Sequence, residues 1–131
     1  MPILTGLLLG PLGGVLCGVF VGMSGALWEP FLIPILGNIA LGLSTGIPSF
    51  YRHKIPKSLW IALCMLLAVV LGGFLPTFSI EVFIAGILPA FAVITASIDA
   101  VQAGIWASLA LLLQLGVIEP ILNPYKNRAP E

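Results

Sequence analysis

The chain has 131 residues, 60% of them hydrophobic and only 8% charged, with a formal net charge of zero. At a mean hydropathy of +1.18 it excludes a water-soluble fold, because a typical soluble domain carries about 25% charged residues and a chain of this length could not hide so much apolar surface. Zero net charge also removes any electrostatic basis for binding nucleic acid.

The charges before the tail, Glu29, Arg52, Lys54, Lys57, Glu81, Asp99 and Glu119, divide the chain into uncharged runs, each close to the roughly 20 residues that cross a bilayer. The runs lack the alternating polar positions of a barrel strand, so helices are the secondary structure that satisfies their backbones in hydrocarbon. The expected fold is all-α, a polytopic transmembrane helix bundle forming one domain over 1–131. It has about five helices, at 4–27, 31–51, 58–76, 82–98 and 102–118, and a short polar tail at 119–131. The number falls to four if the last run re-enters instead of spanning.

Helix one carries Gly6, Gly10, Gly14, Gly18 and Gly22, continued by Ala26, one small residue every fourth position. Lipid provides no hydrophobic drive between helices, so small residues four apart favour association by letting backbones approach. Gly14 and Gly18 should tolerate enlargement least, and Gly6 and Gly22, nearer the ends, better. The run is not a signal peptide, since it lacks a basic start and further spans follow.

Pro30 and Pro34 suit the first turn of helix two. In that helix Gly42 and Gly46 repeat the four-residue spacing begun at Asn38, a strongly polar side chain near a bilayer midplane. An interhelical hydrogen bond is one explanation of Asn38, and a contact with a solute or ion is the other. The segment Tyr51–Lys57, bracketed by Pro48 and Pro56, gathers Arg52, His53, Lys54 and Lys57. By the positive-inside rule this loop faces the cytoplasm, where it contacts lipid headgroups or docks a partner subunit.

Pro76 should close helix three, with an external turn at Thr77–Glu81. Pro89 should kink helix four near its middle. Asp99, beside Thr95, Ser97 and Gln102, reads as a cap at an inner turn, with a proton- or cation-binding transport acid as the alternative. Gln114 in helix five is a further polar candidate for a solute contact. Alternation then places Glu29, Glu81 and Glu119 at the outer rim, and Lys126 and Arg128 outside as well. Trp28, Trp60, Trp106 and Tyr125 fall near interfaces, where amphipathic rings prefer to sit.

Cys17 and Cys64 read as small apolar residues within spans. The sequence contains no Ser/His/Asp grouping, paired carboxylates, phosphate loop or cysteine cluster, so neither an enzyme nor a metal or other cofactor is expected.

The segment Gly10-Pro11-Leu12-Gly13-Gly14 with Gly18 and Gly22, followed after a proline-rich break by Asn38, Gly42, Gly46 and Arg52, resembles the substrate-binding S components of energy-coupling-factor vitamin transporters. The likeness covers about the first half of the chain, and that family usually has six helices. It implies a small-molecule binder working with a transmembrane partner and ATPases. The functional expectation is a transport component that binds or conducts a small solute through Asn38, Asp99 or Gln114. The alternative is a non-catalytic subunit of a respiratory, hydrogenase or antiporter type of complex. Either would sit in the bilayer of a cell membrane, a prokaryotic plasma membrane by preference, with other membrane subunits or as a homo-oligomer.

Overall fold

The structure, a computed structural model, describes residues 1–26 and 33–121. Glu29, Pro30, Trp28, Tyr125, Lys126 and Arg128 lie outside the described residues. The described chain forms four helices and no strand: α1 Pro2–Ala26, α2 Ile33–Phe50, α3 Lys57–Phe83 and α4 Pro89–Ile121. Three stretches, Pro2–Gly25, Lys57–Phe83 and Pro89–Ile121, are long and apolar enough to cross a membrane.

The bundle is inside-out relative to a soluble one. On α4 six of the eight buried positions are alanines, 92, 96, 100, 103, 107 and 110, joined near its end by Leu111 and Gln114, while Ile94, Ile98, Val101, Ile105 and Leu112 are exposed. Water would drive the large side chains inward, whereas lipid makes no such demand and rewards small residues where helices meet. The all-α membrane bundle is therefore present, and the chain is a small multi-pass membrane protein.

The expected breaks at Thr77–Glu81 and Ser97–Gln102 do not occur. The helix containing Pro76 continues to Phe83. Proline removes an amide and crowds the carbonyl four residues earlier, and here the preceding stretch Ala68–Phe74 has widened into a π-helix, which loosens the ladder at that point. The actual reversal is Ile84–Leu88, where Gly86 has φ +68°, a left-handed conformation that glycine adopts without steric cost. The amides of Ala85 and Ile87 bond back to the carbonyls of Ile80 and Glu81 at 3.0 and 2.9 Å. Pro89 is in the first turn of α4, where its missing amide costs nothing, not at a mid-span kink. The runs expected at 82–98 and 102–118 accordingly belong to different helices or to one: the first is cut by Ile84–Leu88, and its remainder joins the second in α4.

Helix α1 is folded in two. At Gly10 the backbone has φ +76° and ψ −170°, which no helix contains. A methyl group on Gly6 and one on Gly14 would both overlap the same atom, the Gly42 carbonyl oxygen. In a straight helix those two glycines would be about 12 Å apart, so the chain must turn back at Gly10. Beyond the turn, Gly14 packs on Gly42, Gly18 on Asn38 and Gly22 on Ile35, the regular four-residue step of two antiparallel helices. The short arm before the turn tucks into the bundle. Ile3 and Leu7 are buried in a cluster with Trp60, Cys64, Ala68, Ala107, Ala110 and Leu111.

Candidate functional site

Two ends of the bundle are distinguishable by their charges. At one, Arg52 pairs with Glu119, and its guanidinium lies 4.7 Å from the centroid of the fully buried Trp60 ring. Glu119 is therefore at the basic end, not at the opposite rim as expected. With four helices instead of five, the chain after α4 begins on the same side as the Arg52–Lys57 loop. Lys54 sits 6.0 Å from the Tyr51 ring, and His53 and Lys57 are exposed.

At the other end, α3 and α4 are tied by side-chain pairs. Thr77 Oγ1 donates to Asp99 Oδ2 at 2.6 Å, and Thr95 donates to the Glu81 carboxylate. Asp99 is thus no helix cap. It lies within α4, ten residues past Pro89 at its start, and is partly buried against α3. Of the polar cluster read as a turn, Asp99 and Thr95 have partners on α3, while Ser97 donates to the Val93 carbonyl of its own helix. Close approach makes this possible: a methyl group on Gly73 would sit 2.7 Å from Ala100 Cα and 2.9 Å from the Asp99 carbonyl oxygen.

Between the α1–α2 pair and the α3–α4 pair runs a groove of about 750 Å³, within the range of small-molecule sites. Its polar lining is Asn38 from α2, Thr77 from α3, and Asp99 and Gln102 from α4. Trp106, Leu109 and Leu113 extend the α4 wall, and Met1–Leu4 closes part of the floor. At 1.5 Å per residue from Glu119, Leu113 lies about 9 Å from the basic end, Trp106 about 20 Å, Gln102 about 25 Å and Asp99 about 30 Å. The groove is apolar toward the basic end and polar toward the other. Since about 30 Å is also one hydrocarbon thickness, the Asp99 end reaches the far interface when the basic end sits at the near one.

Asn38 donates to its own helix at the Pro34 carbonyl, 2.8 Å away, so the interhelical bond that was one explanation of it is not made among the described residues. Gln114 does not join the groove. It is 1% exposed, and its Nε2 donates to the Leu7 carbonyl at 3.4 Å, holding the folded arm of α1. Among the described residues its Oε1 and the Trp60 Nε1 have no hydrogen-bond partner. Thr77, expected at a turn, and Trp106, expected near an interface, both line the groove. One signal was available: Asp99, Gln102 and Trp106 are spaced three and four apart, hence on one helix face.

The described residues hold no group of three His, Cys, Asp or Glu able to bind a metal. No family model, no curated protein and no solved structure matches the chain.

Proposed function

We propose that this membrane protein is a transport component that binds a small solute in the groove between its helix pairs. One observation carries the reading: Asn38, Thr77, Asp99 and Gln102, from three helices, converge on one cavity. Polar and ionisable residues of membrane helices face the bundle interior or a water-filled cavity and mark solute paths, and a groove opening at the interface is such a path. The likeness of the first half to S components agrees with it, as does the glycine-lined seam of α1 and α2, a zipper that holds one wall of the groove rigid. On this reading the basic end is cytoplasmic, in a cell membrane, with His53, Lys54 and Lys57 free to meet lipid headgroups or a partner subunit. The protein works without a catalytic step.

The test is purification in mild detergent, with mass analysis of co-purifying solutes and proteins. A bound solute is expected, and Asn38→Leu should remove it with the melting temperature unchanged. Retention of the solute by that variant, or its absence from the wild type, would refute the site. A second reading, a non-catalytic subunit of a larger assembly, is favoured by the small number of polar lining groups. Recovery of stoichiometric partner subunits and no solute would decide for it.

A further inference from the structure

We infer that the groove is built for an amphipathic organic cation, an ammonium or guanidinium group attached to an apolar body. This rests on the reading of the groove as a solute site. Asp99 is the one charged side chain among its described lining residues. The described basic side chains, Arg52, His53, Lys54 and Lys57, belong to the opposite end, about 30 Å away along the helices. The Thr77 hydroxyl supplies a single hydrogen bond to the carboxylate, which has about four acceptor positions.

A carboxylate at the membrane boundary, in a groove whose described lining holds no Lys, Arg or His side chain, favours a positively charged occupant and repels an anionic one. Trp106, two helical turns along the same face of α4, is 56% exposed and shares the cavity wall. An indole face attracts cations, organic ammonium groups in particular. A bare metal ion would need a cage of several oxygen ligands at about 2.0–2.6 Å, whereas this space is about 750 Å³ and most of its wall is apolar. The order along the groove, carboxylate and amides first, then indole, then Leu109 and Leu113, matches a charged head followed by an apolar body.

The probes are benzyltrimethylammonium, its uncharged isostere neopentylbenzene, and the anion 3-phenylpropanoate. Each is titrated against the full chain in nanodiscs by calorimetry and tryptophan fluorescence. The cation is expected to bind at least about tenfold more tightly than the isostere, a difference of about 1.4 kcal/mol, and the anion more weakly than both. Asp99→Asn should erase the cation's advantage and Asp99→Glu should keep it, which separates charge from folding. Trp106→Leu should weaken the cation about two- to fivefold, the range of an exposed cation–π contact. Glu81→Gln, which removes a carboxylate outside the groove, should change it less than about twofold, within 0.5 kcal/mol. Equal binding of cation and isostere, an anion preferred, or a silent Asp99→Asn would overturn the cationic assignment while the groove remains a solute site. No binding of any probe, together with no co-purifying solute, would overturn both readings. A neutral or anionic co-purifying solute would overturn the cationic one alone.

Discussion

Glycines in this chain do different work, and the differences can be measured at single positions. Gly14 and Gly42 meet backbone to backbone, and a methyl group on either overlaps the other residue. Gly14→Ala should therefore lower stability by about 1–3 kcal/mol, the usual range for overpacking. At Gly116 an added methyl group meets nothing within 4 Å, so Gly116→Ala should be neutral or stabilise by up to about 1 kcal/mol through helix propensity. Thermal unfolding in one detergent compares the two, and equal effects would mean that the α1–α2 seam is loose. Gly10 is a third case. It has open space but φ +76°, so Gly10→Ala should cost about 1–2 kcal/mol through strain alone. Gly6, expected to tolerate change because it is near a helix end, meets Gly42 and Thr45 and should be as sensitive as Gly14.

At the level of elements, α3 and α4 are held by small-residue contact and by hydroxyl-to-carboxylate bonds. Ala100 and Ala103 pack on Gly73, and Thr77 donates to Asp99. Thr77→Val keeps the shape and removes the donor, leaving a partly buried carboxylate with no hydrogen-bond donor among the described residues. The expected loss is about 1–3 kcal/mol, the penalty of an unsatisfied polar group. Thr77→Ser should recover most of it, and thermal melts of the pair check the assignment. A Thr77→Val variant as stable as wild type would show that the bond contributes nothing to the packing of α3 on α4. The Arg52–Glu119 pair is about 30% exposed on both sides, and for a solvated pair the coupling in a double-mutant cycle should not exceed about 1 kcal/mol.

The four-helix arrangement makes a topological prediction for the whole molecule. In a background with Cys17 and Cys64 replaced by alanine, Ser58→Cys and Pro120→Cys should react with an impermeant maleimide from one side of the membrane, and Ala85→Cys from the other. Five spans would move position 120 across. The arrangement also bears on the positive-inside rule. Glu119 pairs with Arg52, so α4 ends on the side of the basic loop, where Arg52, Lys54 and Lys57 set the bias.

Composition and the spacing of charges were enough to establish a helical membrane bundle, because hydrocarbon leaves a long apolar chain so few ways to satisfy its backbone. The seam glycines and the polar candidates Asn38 and Asp99 were legible for the same reason, since small and polar residues are conspicuous in an apolar background. The helix count was not. Charge was read as a marker of helix ends, yet Asp99 and Glu81 lie within helices and find partners across the α3–α4 contact. The sharp reversal at Gly10 was equally hidden: a glycine continues a helix or breaks it according to a φ that tertiary contact selects, and the four-residue ladder looks the same in either case. Tertiary structure alone decided that Gly6 and Gly14 share one partner, that Gln114 anchors the folded arm, and that Thr77, Asp99, Gln102 and Asn38 line one groove. Convergence of side chains from separate helices depends on which faces pack together, and no local spacing encodes that.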